Sequence, residues 1–469
     1  MSDSSLARPS PLLLPVVLLA TFMELLDVTI VHVAVPSIRD DLDAGPGAVE
    51  LVVAGYVLAY ACTLICGARL GDRYGYRRLF VLGMVLFTVA SAASAAAPSV
   101  SVLVAARVAQ GIGGGLMNPQ VLSTIQCAYA GASRTRVFGL YGATMGVASI
   151  AGPLLGGLLV TADLAGLGWR LIFLVNVPVG VAVLAAARVL PAGRGSATPL
   201  DCAGAGLITL GLGLLVLPLA LGAQQGWPAW MWCCLLGALL VLGLFSLVQA
   251  ARGRAQRETL LHPSLLRDRS AVSGLIVVLL FYVGIASFSY FFSVYQQAAG
   301  HSALHAGLAF SPFAVAAIAG SRSADILGRR LGHRLLVACG TVLACCMAVL
   351  AAAVRVADVA HHPFAGAVPL LTGGFAFGCF TAAGFSVVLA NVTPEAVGSA
   401  SGLLPTALNV GGALGITGAG ALAPAAGGAT GFSHVLVFDA AAFVLAAVAA
   451  CHLPRRTADV NLTKETSAP

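Results

Sequence analysis

The chain has 469 residues, of which 59% are hydrophobic and only 9% are charged, and its formal net charge is +7. Soluble globular domains carry about 25% charged residues, so this composition excludes a soluble protein. A helix needs about 20 apolar residues to cross a bilayer. The sequence therefore predicts an all-α integral membrane protein with several membrane crossings.

Apolar runs long enough to cross a bilayer occur fourteen times along the chain. They cover 12–35, 48–68, 79–97, 100–128, 137–161, 169–189, 201–222, 229–250, 271–297, 303–321, 333–354, 363–390, 397–423 and 433–453. The first run is too long for the apolar core of a signal peptide and contains acidic residues, so we interpret it as a transmembrane helix. The connections are short, so any chemistry is expected inside the helical bundle.

The basic residues predict the orientation, because loops rich in Lys and Arg stay in the cytoplasm. Placing both termini in the cytoplasm puts all but four of the 25 basic residues on that side. The four exceptions are Arg39, Arg107, Arg170 and Arg355. The positive net charge therefore follows from topology and indicates no nucleic-acid partner.

Two loop sequences repeat one pattern. "GARLGDRYGYRR" (67–78) and "GSRSADILGRRL" (320–331) share Gly, Arg, Asp, Gly and Arg at matching offsets. We interpret this as a duplicated unit, with an N-terminal six-helix bundle (1–190), linker segments with two extra helices (191–260) and a C-terminal six-helix bundle with a short cytoplasmic tail (261–469). Such repeats are typical of transporters, whose substrate site lies between the repeats near the membrane midplane.

Further motifs follow in order along the first half of the chain. They are "LDVTIVHVAVP" (26–36), "ARLGDRYGYRR" (68–78), "RVAQGIGGG" (107–115), "AGPLLGG" (151–157) and "WRLIFLVNVPVG" (169–180). Together they resemble the motifs of the major facilitator superfamily, specifically its fourteen-span drug:proton antiporter branch, over nearly the whole chain. The resemblance implies two six-helix bundles plus two inserted helices, fourteen transmembrane helices in all.

The first predicted helix contains Glu24, Asp27 and His32 within its apolar run. At 100° per residue these three fall on one side of the helix, and Leu26 and Ile30 fall on the other. Two carboxyl groups one turn apart in an apolar site disfavour ionising together, so at least one is expected to hold a proton near neutral pH. They are candidate proton carriers; the alternative is that they only hydrogen-bond neighbouring helices.

Two further charges fall within predicted helices. Arg107 and Asp439 are candidates for proton coupling by default, because a charge inside the bilayer is costly. For Arg107, the alternative is that its side chain reaches the outer membrane surface. Asn176 and Asn409 are weaker candidates for a functional role, since an Asn in a bundle commonly joins two helices by hydrogen bonds.

Gating residues are predicted at two places. Asp72, with Arg73 and Arg77 as partners, is a candidate cytoplasmic latch, although these arginines could serve only as positive-inside anchors. In the fifth helix, Gly152 and Gly156 allow a close helix approach and Pro153 a bend. Ordinary small-residue packing is the alternative, and the resemblance favours a tight interface that resists leakage.

Aromatic and amide side chains within the helices are candidates for substrate contact. They are Tyr56, Tyr60, Gln110, Asn118, Tyr282, Tyr290, Tyr295 and Gln296. The eleven cysteines show no ligand spacing in loops, so we expect no metal site and no disulfide. No phosphate-binding loop occurs, and no cofactor is expected beyond a proton gradient as the energy source.

The expected function is a proton-coupled antiporter that exports small, partly apolar molecules, such as a drug or antibiotic, across a bacterial inner membrane. The expected partners are the substrate and the lipid bilayer, with no obligate protein partner. A proton-coupled importer or a uniporter of a small metabolite remains an alternative. A membrane-embedded enzyme is disfavoured, because the sequence contains no nucleophile motif or His/Cys cluster.

Overall fold

The computed structural model describes residues 10–129, 131–191, 201–255, 259–260, 269–301, 303–332, 334–356, 359, 363–389, 397–422 and 428–453. Its helices are α1 (Leu13–Asp41), α2 (Pro46–Tyr74), α3 (Tyr76–Ala95), α4 (Val100–Ala128), α5 (Gly131–Ala162), α6 (Leu171–Leu174), α7 (Asn176–Ala186), α8 (Cys202–Gln225), α9 (Ala229–Arg254), α10 (Arg269–Ala298), α11 (Ala303–Leu331), α12 (Arg334–Val356), α13 (Pro363–Leu389), α14 (Val397–Leu422) and α15 (Ala429–Cys451). Across these ranges the protein is helical, without a β-strand.

Ten helical stretches in the described part are long and apolar enough to cross a membrane. The all-helical membrane class is therefore confirmed, while the count of fourteen spans stays a prediction. Several helices run further than their apolar runs; α2 continues to Tyr74 and α11 to Leu331. Hydropathy detects only the apolar stretch, whereas a helix continues through polar residues whose backbone bonds remain intact.

The sixth predicted run is helical throughout. The 3₁₀ turn Gly168–Arg170 leads directly into α6, and Val175, between α6 and α7, has helical dihedral angles with its amide bonded to the Leu171 carbonyl at 3.0 Å. Gly168–Val189 therefore forms one apolar stretch long enough to cross a membrane. Asn176 lies within this stretch, and its side chain is buried.

Two sets of helices pack in the same pattern. In the first set, α1 packs on α5, α2 and α3 pack on α4, and α7 packs on α1 and α3. In the second set, α10 packs on α14, α11 and α12 pack on α13, and α15 packs on α10 and α12. The contacts between the sets repeat as well, because α2 packs on α14 and α5 packs on α11.

The pair α8 and α9 lies outside both sets. These helices pack on each other, and α8 also packs on α2 and on α14. Thr417 Oγ1 of α14 donates a 2.7 Å hydrogen bond to the Leu219 carbonyl of α8. On the α2 side, Cys62 Sγ lies 3.3 Å from the Thr209 carbonyl. The pair therefore covers the line along which α2 and α14 meet, which we call the α2–α14 seam.

The two sets close on each other at the basic end, defined as the end of the bundle where α1 begins and α2 ends. Ser123 and Ser401 are hydrogen-bonded across the sets at 2.9 Å. The ring of Phe385 packs against Phe138, with centroids 6.2 Å apart. A methyl group placed on Gly402 would lie 2.9 Å from the Ala68 Cβ, so α2 and α14 approach closely there. Passage through this end requires these contacts to separate.

Candidate functional site

The centre of the first set contains a buried ion pair between Asp27 of α1 and Arg107 of α4. Arg107 Nη1 lies 2.5 Å from Asp27 Oδ2, and the two side chains are 1% and 0% exposed. Asp27 Oδ1 also accepts hydrogen bonds from Gln110 Nε2 (2.8 Å) and Asn176 Nδ2 (2.6 Å). The carboxylate thus receives donors from α4 and α7, as a buried charge requires.

The guanidinium of Arg107 is held equally tightly. It donates to the Gln110 side-chain oxygen at 2.7 Å and to the Val52 carbonyl of α2 at 3.2 Å. Its central carbon lies 4.3 Å from the centre of the Tyr56 ring, close enough for a cation–π interaction. Arg107 is therefore turned into the bundle, and the alternative that it reaches the outer surface is excluded.

Gln110 and Asn176 act in this network in a way that the sequence did not reveal. Gln110 was expected to contact substrate, but its amide is hydrogen-bonded to Asp27 and Arg107. It also donates to the Ser91 hydroxyl of α3 at 2.8 Å. Asn176 joins helices as expected of a buried Asn, and its partner is the candidate proton carrier itself. An Asn inside an apolar run was the sequence signal that pointed to it.

Glu24 lies one turn before Asp27 but in different surroundings. Its side chain is buried, accepts a 2.9 Å hydrogen bond from Asn118 Nδ2 and lies beside the Tyr60 hydroxyl. Among the described residues it forms no ion pair, whereas Asp27 does. A buried carboxyl group without a cation is stable only when it carries a proton. The two acids therefore lie one turn apart in one polar core, Asp27 paired with a cation and Glu24 bonded to an amide.

His32 lies one turn beyond Asp27 towards the opposite end of α1. It is solvent-exposed, although it is within electrostatic range of the fully buried Arg107. His32 is therefore accessible at the surface of α1, whereas the basic end is closed by contacts between the two sets.

The candidate substrate residues differ in their surroundings. Tyr56 and Tyr60 stack with centroids 5.9 Å apart beside the ion pair, and Tyr282 contacts Met145 across the two sets at 4.0 Å. Tyr290 is 41% exposed. Tyr282 is partly buried, and Tyr56, Tyr60 and Asn118 are buried, so substrate contact at these positions stays a prediction.

Tyr295 and Gln296 lie elsewhere. Tyr295 is buried in the apolar core of the second set, stacked on Phe432 at 4.7 Å. Gln296 is buried and bonded to His301 at 3.0 Å. Their placement gives no support to substrate contact, because both side chains are already packed against protein. Hydropathy alone cannot distinguish a core aromatic residue from one that lines a cleft.

Asp439 is separate from this site. It lies in α15 of the second set, is fully buried and has Ser287 of α10 beside it. Within the described residues, neither of its carboxyl oxygens forms a hydrogen bond of good geometry or an ion pair. The structure therefore does not bring Asp439 together with Glu24, Asp27 and His32.

The Asp72 loop turns sharply, and the observed partners of its carboxylate differ from the predicted ones. Gly75 has a positive φ of 93°, a conformation that glycine adopts without strain, and joins α2 to α3. Asp72 is bound by Arg69 (3.3 Å) and by the hydroxyl of Tyr76, which donates at 3.1 Å. No bond from Arg73 or Arg77 to this carboxylate is found among the described residues, so the predicted pairing is replaced by Arg69.

Asp72→Asn should slow transport about tenfold, as expected when roughly 1.4 kcal/mol is lost from a closed state, while leaving folded protein in the membrane. The amide keeps the volume of the side chain but loses the charge that holds Arg69. Transport per molecule of purified protein in liposomes measures the effect. Full activity in this variant would leave the loop with a purely topological role.

Gly152 and Gly156 form a close approach between α5 and α1. A Cβ on Gly152 would overlap the Thr29 side chain, and one on Gly156 would lie 2.9 Å from the Ile30 side chain. Thr29 Oγ1 lies 3.4 Å from the Ala148 carbonyl at the same crossing. The side chain of Pro153 lies outside the described residues. This contact belongs to the first set, so it fixes α1, the helix that carries both acids.

Gly152→Ala should destabilise the protein by about 1–3 kcal/mol, because the added methyl group forces α1 and α5 apart. Gly157→Ala is a matched control on the same helix, since a Cβ there meets nothing within 4 Å. Thermal unfolding of the two purified variants in one detergent makes the comparison. Equal melting temperatures would show that the crossing tolerates a larger separation.

Comparison with known proteins identifies the family. The sequence model described as Major Facilitator Superfamily matches residues 17–416. The chain belongs to the major facilitator superfamily. Solved superfamily structures share the fold: a proton:xylose symporter bound to 6-bromo-6-deoxy-D-glucose superposes with a TM-score of 0.64 at 16% identity, covering 94% of this chain and 95% of the symporter.

Several bacterial superfamily members are more similar in sequence. A probable actinorhodin transporter of Streptomyces coelicolor is 36% identical over 90% of this chain and 74% of its own length. The tetracenomycin C resistance and export protein of Streptomyces glaucescens is 31% identical, covering 87% and 74%, and the puromycin resistance protein of Streptomyces alboniger is 31% identical, covering 86% and 80%. The expected resemblance to the superfamily, and to its exporters, is confirmed.

Proposed function

We propose that the protein is a proton-coupled antiporter that exports small, partly apolar molecules and so confers resistance to a drug or antibiotic. The observation that carries this proposal is the Asp27–Arg107 ion pair, buried at 0% and 1% exposure beside the unpaired carboxyl group of Glu24. A transporter driven by protons needs an acid that can be neutral or charged at little net cost. Here one polar core contains a carboxyl group paired with a cation, Asp27, and one without a cation, Glu24, one turn apart.

The proton acts on the ion pair. Protonation of Asp27 removes the negative charge that Arg107 Nη1 contacts at 2.5 Å. Arg107 also binds α2 through the Val52 carbonyl, and Asp27 binds α7 through Asn176. Loss of the pair therefore loosens α1, α2, α4 and α7 together, and its return on deprotonation tightens them. One charge moving across 100 mV supplies about 2.3 kcal/mol, enough to bias such a two-state change.

Substrate enters the cleft between the sets, where superfamily transporters with internal repeats hold their ligands near the midplane. Tyr282 lies between the sets against Met145, and the buried Tyr56, Tyr60 and Glu24 would face the substrate after the helices move apart. Aromatic faces and few charges fit planar, partly apolar molecules. The relatives named for actinorhodin, tetracenomycin C and puromycin support a natural product of this kind.

Transport by everted membrane vesicles tests the proposal against its alternatives. Vesicles energised by respiration should accumulate an exported compound, and a protonophore should abolish the accumulation. A proton-coupled importer would expel the compound under the same gradient, and a uniporter would ignore the protonophore. Candidate compounds come from a resistance screen of a sensitive bacterium that expresses the chain. Chemical conversion of the compound would instead support a membrane enzyme.

Asp439 is the alternative proton site. Its burial without a cation or a hydrogen bond of good geometry makes its ionisation costly, and it lies in the second set, away from the Asp27 pair. Asp439→Asn should therefore leave coupling intact if Asp27 and Glu24 carry the proton. A loss of coupling in this variant, with the Asp27 variant still coupled, would move the proton site to α15.

Orientation has its own test. We propose that the basic end faces the cytoplasm and that both termini lie there, because the loops at this end carry most of the arginines. Reporter fusions after Arg194 and after Arg456 should both give a cytoplasmic signal. A periplasmic signal from either fusion would contradict this topology.

A further inference from the structure

Arg69, near the end of α2, binds a distant piece of the backbone. Its Nη2 donates to the Thr259 carbonyl at 2.7 Å, and its Nε donates to the Leu260 carbonyl. The remaining nitrogen lies 3.3 Å from Asp72. Thr259 and Leu260 belong to the connection between α9 and α10. Three directed bonds distinguish Arg69 from a basic residue that serves only to orient the helices.

The same connection is anchored from its other side. The Leu260 amide donates to Gln249 Oε1 of α9 at 2.8 Å, and Gln249 Nε2 donates to Asp201 at 2.6 Å. Asp201 accepts the Gly204 amide at the start of α8 (2.9 Å) and lies 3.3 Å from Arg252. A continuous chain of polar contacts therefore runs from α2 through the connection to the first turn of α8. Asp201 and Gln249 are both buried, so water competes little for these bonds.

Apolar contacts also hold the α9–α10 connection against α2, at Leu260. The Leu260 side chain is buried in a cluster with Ile65 of α2, Ile208 of α8 and Phe245 of α9, and Leu403 of α14 packs against this cluster. Members of both helix sets and of the α8/α9 pair thus meet at Leu260. The contact lies directly beside the α2–α14 seam, where Ala68 of α2 faces Gly402.

We propose that Arg69 is a positioning residue that clamps the α9–α10 connection to α2, so that the α8/α9 pair braces the α2–α14 seam and holds the basic end closed. The inference rests on the proposed transport function, because opening that end is needed only if substrate crosses there. The clamp belongs to the closed conformation. Its loss shifts the population towards opening at the basic end.

Hydrogen–deuterium exchange of the purified full chain tests the clamp without substrate or proton gradient. Arg69→Lys keeps the positive charge but cannot bind both carbonyls and Asp72 in a fork. Amide exchange across 64–74 and 399–408, the two sides of the seam, should become about tenfold faster, as expected for the loss of one or two hydrogen bonds. Exchange around His32 should fall, because the opposite end closes when the basic end opens.

Two further variants complete the experiment. Gln249→Leu releases Leu260 without altering α2, and should reproduce the faster exchange along the seam. Arg254→Gln removes an exposed charge from the same end of α9 and should change nothing. Unchanged exchange in both Arg69→Lys and Gln249→Leu would overturn the clamp, as would equal effects of all three variants. Uniform acceleration over every helix would indicate general destabilisation and would also count against it. None of these results depends on whether the protein exports a compound.

Discussion

Asp27→Asn is expected to abolish uphill transport driven by an imposed pH gradient, while binding of substrate should survive. The amide preserves size and can still accept from Gln110 and Asn176, but it cannot take up or release a proton. Net coupled transport should fall about fiftyfold, since a driving force of one proton across 100 mV corresponds to roughly 2.3 kcal/mol and exchange without it cannot run uphill. Substrate-induced proton release from purified protein in liposomes is the direct measurement.

The comparison variants separate the two acids. Glu24→Gln should reduce proton release, because it removes a buried titratable group that lies one turn from Asp27. Asp40→Asn alters an exposed acid on the same helix and should leave proton release unchanged. The variant lacking both Asp27 and Glu24 should release no protons on substrate binding. Coupling of wild-type strength in that double variant would transfer the role to Asp439 or His32.

Arg107→Met should destabilise the folded protein by about 3–5 kcal/mol, because it leaves the Asp27 carboxylate buried without its cation. The second substitution Asp27→Asn, added to Arg107→Met, should recover most of this loss, since it removes the unpaired charge. Transport should not return in the double variant. Thermal unfolding in detergent, with ligand concentrations held constant, measures both effects.

Arg170→Met is the matched control for this series. Arg170 pairs with Asp41 at 2.7 Å, but both side chains are partly exposed, so its removal should lower the free energy of unfolding by only about 0–1 kcal/mol.

Lowering the pH should restore part of the stability of the Arg107→Met variant, because a protonated Asp27 carries no charge. A single variant as stable as the double variant at every pH would show that the pair contributes nothing to folding.

The sequence predicted the class of fold and the residues of the polar core, and it did so for a physical reason. Charged side chains inside apolar runs are costly, so Glu24, Asp27 and Arg107 stood out without a structure. The pairing of Asp27 with Arg107 could not be predicted, because the two residues are 80 positions apart in the sequence. Helical periodicity placed the two acids on one side of α1 but carried no information about which acid would meet the cation.

Other contacts could not be predicted from sequence patterns. Arg69 counted only as one positive charge among many, because its partners are carbonyl groups 190 and 191 residues away that any sequence would supply. Tyr76 was not among the predicted partners of Asp72, yet its hydroxyl donates to that carboxylate. Tyr295 was a candidate for substrate contact because aromatic residues are common both in clefts and in cores.

The long helix α4 carries both the ion pair and a contact that closes the basic end. Arg107 lies towards one end of it and Ser123, bonded to Ser401 of the other set, towards the other. At 1.5 Å per residue these two positions are about 24 Å apart, so a tilt of roughly 5° at Arg107 swings Ser123 through about 2 Å and breaks its hydrogen bond. Pro119 lies between them and can absorb or redirect that swing. Under the proposed function, α4 would transmit a change at the ion pair to Ser123, and its stiffness at Pro119 would determine how large the displacement at Ser123 is.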